Sequence, residues 1–136
     1  MRYLLAFPLI ALALIAYNIM VFTDPNWLWD EAYRVDMMSG ALLRLQWADI
    51  LILAALFLLF VEVLKAARVG SFTIIDHIMS TAVFIVALVE FLLVEAAGTA
   101  PFFVLMFISL IDVVAGYSIS IRSARRDVAF GGNGPA

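Results

Sequence analysis

Five carboxylates stand in stretches that are otherwise apolar: Asp49, Glu62, Asp76, Glu90 and Asp112. The only histidine, His77, follows Asp76 directly. Groups of this kind in apolar surroundings can do three sorts of work. They can hold or relay protons and small cations, since whatever neutralises a costly charge there is retained. They can join helices as protonated hydrogen-bonding groups. Or they can be purely structural, capping a helix start or pairing with a nearby cation. A histidine with carboxylates can also hold a metal, but no ligand spacing here is diagnostic, and none is expected.

The elements that must carry these groups follow from composition. The chain has 136 residues, 66% of them hydrophobic and 14% charged, with a mean hydropathy of +1.11. Soluble domains run roughly 45–50% apolar and about 25% charged. A short chain buries only about two-thirds of its surface, so this much apolar surface calls for lipid as the solvent. The net charge of −3 gives no reason to expect a nucleic-acid partner. With no cysteine, disulfides, thiolate metal sites and cysteine catalysis are excluded.

Four apolar stretches, Tyr3–Phe22, Leu45–Leu64, Phe72–Val94 and Ala100–Ile121, approach the length of a membrane crossing, about 20 residues. Asp24-Pro25, Gly70-Ser71 and Gly98-Thr99-Ala100-Pro101 punctuate them, with Ser71 or Thr99 able to cap the next helix. Arg2 ahead of the first stretch resembles a signal peptide, yet Tyr17-Asn18-Ile19-Met20 is too bulky for a cleavage site, so an uncleaved span is expected. The fold predicted is all-α: a polytopic membrane protein with an up-down four-helix transmembrane bundle over residues 1–127. Residues 128–136, ending Gly-Gly-Asn-Gly-Pro-Ala, are predicted to form a flexible tail.

Arg2, Lys65, Arg68, Arg122, Arg125 and Arg126 fall on one side of that topology, and Arg34 and Arg44 on the other. The bias places both termini in the cytoplasm. In the first loop, Thr23 to Arg44, Asp24 can cap a short helix starting at Pro25 that lies in the headgroup layer. Trp27, Trp29 and Tyr33 then serve as interfacial anchors, or alternatively as a partner-docking surface.

Depth sorts the acids and their polar neighbours into an inner group, Glu62, Asp76, His77 and Asp112, and an outer group, Asn18, Asp49 and Glu90. On the third span Asp76, Ser80, Val83, Ala87 and Glu90 share a stripe. On the fourth, Ser109, Asp112, Gly116 and Ser120 form a small polar stripe suited to close helix packing. The two stripes are expected to face each other. Asp49 and Glu62 lie about 140° apart around their helix, so they do not share one narrow path. Bland roles remain open: Asp76 with Thr73 resembles a capping box, and Glu62 stands one turn before Lys65.

The stretches Phe60-Val-Glu-Val-Leu-Lys-Ala66, Asp76-His-Ile-Met-Ser80, Asp112-Val-Val-Ala-Gly-Tyr117 and Ala124-Arg-Arg-Asp127 resemble those of a set of small four-span bacterial inner-membrane proteins with no assigned activity. The resemblance covers the last three spans and implies a bacterial inner-membrane location. A fainter likeness, carried by Phe60, Glu62 and Lys65, points to the phosphate-starvation-inducible membrane protein family.

There is no phosphate loop, nucleophile elbow, HExxH or dinucleotide fingerprint. The expectation is therefore a non-enzymatic protein without cofactor, whose partners are the bilayer and a second copy or another membrane protein. The alternative is proton- or cation-coupled transport by an oligomer, along Asp112, Glu90 and Asp76 with His77 as a relay.

Overall fold

The computed structural model describes residues 7–69 and 74–131. Four α-helices hold most of them: α1 (Ile10–Thr23), α2 (Trp47–Val69), α3 (Ile74–Leu93) and α4 (Ala100–Gly131). Three are long and apolar enough to cross a membrane, over Trp47–Ala67, Ile74–Leu93 and Ala100–Ser118. These mark the chain as a helical membrane protein. The first helix is shorter, with 14 residues, about 21 Å at 1.5 Å per residue.

α4 lies at the centre and packs against all three other helices, while α1 also packs on α2. The contact surfaces are built from small side chains with a few large ones between them. Ala13, Ala48, Ala55 and Ala87 are buried in one cluster with Tyr17, Phe102 and Leu105. Small residues allow close backbone approach, which matters where hydrocarbon surrounds the helices and no hydrophobic force drives them together. Most large aliphatic side chains point outward instead. On α3 only Ser80 and Ala87 are buried, and Ile74, Ile78, Ile85, Val89 and Leu92 are all exposed. The pattern suits a lipid solvent.

The first loop differs from expectation. In place of a helix beginning at Pro25, there is one 3-10 turn, Trp27–Trp29, followed by an antiparallel hairpin of β1 (Glu31–Asp36) and β2 (Leu42–Gln46). The described chain is mostly helical all the same, with this hairpin in place of the expected interfacial helix. Tyr33, Val35 and Met37 alternate with Arg34 and Asp36, which is the period of a strand rather than a helix. Gly40 takes φ +87° in the turn, where its amide bonds the Met37 carbonyl at 2.9 Å. Asp24 closes a local turn instead of capping a helix, its Oδ1 accepting the Asn26 amide at 2.9 Å.

Element bounds shift for similar reasons. Leu45 belongs to β2 and not to the second span. α4 continues past Ile121 to Gly131, so the start of the expected tail is helical. The first-span residues 3–6, Ser71, Thr73 and the last five residues lie outside the described part of the chain, as do the side chains of Ser120 and the arginines at 122, 125 and 126.

Candidate functional site

The polar groups of the helices gather at two levels. At the inner level, Glu62 of α2, Ser80 of α3, and Ser109 and Asp112 of α4 are all buried. Each arrives there through helix periodicity. Ser109 and Asp112 are three residues apart and share the face of α4 that looks inward, while Ser80 occupies the buried stripe of α3. The two stripes touch at one point, where the Ser80 side chain is a hydrogen-bond partner of Asp112, while Glu90 of the α3 stripe turns to Asn18 of α1. Glu62 and Lys65 stand near enough for their charges to act on the Asp112 carboxylate.

Glu62 has a second engagement. Its Oε2 accepts the backbone amide of Leu9 at 3.0 Å. Leu9 is the N-cap of α1 and has no polar side chain to cap the helix itself, and Pro8 before it brings no N–H. A carboxylate from α2 therefore supplies what the local sequence lacks, at the positive end of the α1 dipole.

Among the described residues, Ser109 Oγ and Asp112 Oδ2 are buried at this level without a hydrogen-bond partner. Ser109 is fully buried and Asp112 only 5% exposed. Buried polar atoms are satisfied in the great majority of cases, so a pair of orphans on one helix face is a notable concentration of unmet polarity.

At the edge of the same level the His77 ring stacks on Tyr117, with centroids 4.6 Å apart and planes 8° from parallel. The Tyr117 hydroxyl lies 3.5 Å from Thr81 Oγ1. Asp76 occupies the first turn of α3, where an acid suits the helix dipole. Among the described residues, no three of His, Cys, Asp and Glu converge to hold a metal ion.

The outer level is divided. Asn18 Nδ2 donates to Glu90 Oε2 at 3.3 Å and to the Leu14 carbonyl at 3.0 Å. Asp49 does not join them, because its Oδ2 accepts the Gln46 amide at 2.9 Å and caps α2. Asn18 and Glu90 line a lateral cavity of about 250 Å³ between α1 and α3, whose other walls are apolar, among them Leu14, Ile15, Met79 and Val86.

Tyr17 was not legible as a functional or joining residue. It is fully buried, and its hydroxyl donates to the Ala96 carbonyl at 2.8 Å and meets Thr99 Oγ1 at 2.6 Å. Thr99 in turn accepts the Phe102 amide at 3.3 Å, capping α4 as its sequence position predicts. The one available signal was a phenol in an otherwise apolar run. Of the expected anchors, Trp27 packs edge-on to Trp47 at 6.5 Å, while Trp29 and Tyr33 are exposed.

What this arrangement can do chemically is hold a proton or a small hard cation at the inner level, and present an amide–carboxylate pair sideways at the outer one. The chain matches no family model, no curated protein and no solved structure.

Proposed function

We propose that this is a non-enzymatic protein of the bacterial inner membrane, with four spans and cytoplasmic termini, that acts by lateral association. It assembles with copies of itself or serves as an accessory subunit of a larger membrane complex. The observation that carries this reading is the Asn18–Glu90 pair in the cavity between α1 and α3. Facing hydrocarbon, an amide and a carboxylate keep unspent hydrogen-bonding capacity. Hydrogen bonds between helices in lipid contribute about 0.6–2 kcal/mol each. A helix from a neighbour, bearing a small or hydroxyl-containing face, satisfies both groups and fills the cavity.

Because the chain has no cysteine, Ala82→Cys places a single crosslinking group on this cavity. Crosslinking in native membranes is expected to give one discrete adduct, either a dimer or one neighbour. A protein that remains strictly monomeric after crosslinking and gentle extraction overturns the reading.

A second reading, cation- or proton-coupled carriage by an oligomer, is favoured by the buried and incompletely bonded Asp112. It predicts pH-dependent ion flux in liposomes that Asp112→Asn abolishes. Absence of flux across a panel of cations removes it.

A further inference from the structure

We infer that the lateral cavity between α1 and α3 binds a small amphiphile, a protonated primary amine on an apolar body the size of one aromatic ring, which enters sideways from the lipid. This goes beyond both readings above. A ligand in the cavity and a neighbour's helix across it exclude each other, so binding is measured on its own and does not rest on association.

The space exists because α1 and α3 both pack on α4 and scarcely on each other. The cavity reaches the buried Ala11, Leu14 and Ala87, and its mouth is edged by the exposed Ile15 and Val86. Its volume is about 250 Å³. An apolar cavity of about 150 Å³ takes up benzene, so a ring with a short side arm fits here.

The polar end sets the chemistry. Asn18 Nδ2 spends both of its N–H groups, on the Leu14 carbonyl and on Glu90 Oε2. The Leu14 carbonyl can only accept, which fixes the orientation of the amide. What the pair has left, among the described residues, is Asn18 Oδ1 and Glu90 Oε1, and both are acceptors. An occupant must therefore bring donors. Glu90 is also the only charged residue lining the cavity, and a carboxylate in apolar surroundings is costly until a positive charge meets it. A primary ammonium group carries several N–H donors and a positive charge in one compact head. An alcohol lacks the charge, and a quaternary ammonium lacks the donors. A bare inorganic cation leaves the apolar walls at Leu14, Met79 and Val83 uncovered.

The test uses the full chain in detergent micelles with isotope-labelled methionine methyl groups, Met79 on the cavity wall being assigned by Met79→Leu. The probe is phenethylamine at neutral pH and fixed ionic strength. The wild type should show a saturable shift of the Met79 methyl resonance, with one amine bound per chain by equilibrium dialysis. Phenyltrimethylammonium and phenethyl alcohol should each bind more weakly by about tenfold or more. Glu90→Gln keeps an acceptor for Asn18 and removes the charge, and should weaken amine binding about tenfold, a loss of roughly 1.4 kcal/mol. Ala82→Trp fills the space and should abolish binding, while the exposed Glu95→Gln should leave it unchanged. If Glu90→Gln does not fold, Ala82→Trp and the two analogues still decide the matter. A Met79 shift that rises without saturating, an equal response to the quaternary analogue, or full affinity in Glu90→Gln or Ala82→Trp overturns the inference. A protein that crosslinks through Ala82→Cys yet does not bind the amine loses this inference alone, and one that binds the amine yet stays monomeric loses the association reading alone.

Discussion

The carboxylate of Glu62 reaches from the last third of α2 to the backbone amide of Leu9 and closes the open end of α1 at 3.0 Å. One helix thus finishes another, and the bond ties residues 53 positions apart in sequence. It follows that α1 depends on α2 for its first turn, and that Glu62 is a structural residue as well as a neighbour of Asp112.

Replacing Glu62 by Ala should strand the Leu9 amide and remove the charge from the α1 N-terminus. A loss of about 2–3 kcal/mol is expected. Glu62→Gln, which keeps an acceptor oxygen, should lose about half of that. Unfolding in mixed detergent measures both; equal losses would show that a neutral acceptor does not replace the carboxylate, and no loss in Glu62→Gln would show that the charge contributes nothing.

Tyr17→Phe keeps the ring against Phe102, whose centroid lies 4.9 Å away, and deletes only the hydroxyl. The bonds to Ala96 and Thr99 then vanish, at a cost of about 1–2 kcal/mol. Thr99→Val should cost a similar amount, and because the two groups share a bond the double variant should lose less than the sum. Additive losses would mean that the pair is not coupled.

Filling the cavity between α1 and α3 should separate association from stability. Ala82 is exposed on the wall of that cavity, so Ala82→Trp should occupy the space with a change in unfolding free energy within about 0.5 kcal/mol. Crosslinked adduct should fall severalfold. An unchanged adduct would place the partner elsewhere on the surface.

The hairpin carries its own pH dependence. Arg34 donates to both carboxylate oxygens of Glu31, at 2.7 and 3.0 Å, and this bond holds the Glu31 carboxyl below its ordinary value of 4.5. A depressed folded-state value means that the contribution is complete above about pH 4.5 and fades as acid protonates the folded carboxylate. Arg34 also stands opposite Arg44 across the ladder, so protonating Glu31 leaves two like charges facing each other. Protection factors of the amides in Glu31–Asp36, corrected for the intrinsic exchange rate, should fall as pH falls through this window, and Glu31→Gln should be weakly protected at every pH.

Gly40 supplies a backbone that side chains resist. Nothing lies within 4 Å of a Cβ built there, so the cost of Gly40→Val comes from φ +87° alone, about 1–2 kcal/mol. Local exchange at Met37 and Ala41 reads it, while unfolding of the helices should not change.

What the sequence determined by itself was the solvent and the periodicity. Runs such as Trp47–Ala67 and Ala100–Ser118 are too apolar for water and long enough to span, so their existence as helices follows from composition. Helical spacing also set Asp112 on a polar stripe with Ser109, and Ser80 on a stripe of α3, because the angle between residues on a helix is fixed before any packing occurs. The hairpin was written locally too, in the alternation around Tyr33 and Val35, but the aromatic residues and the Asp24-Pro25 pair pointed to a helix instead. Only the tertiary structure decided which acids meet. Asp49 and Glu90 share a depth, yet one caps α2 while the other bonds Asn18, since depth does not fix rotation about neighbouring axes. Glu62 found the Leu9 amide for the same reason: which helix end lies beside a given carboxylate depends on how separate helices dock, and no spacing within a single helix encodes it.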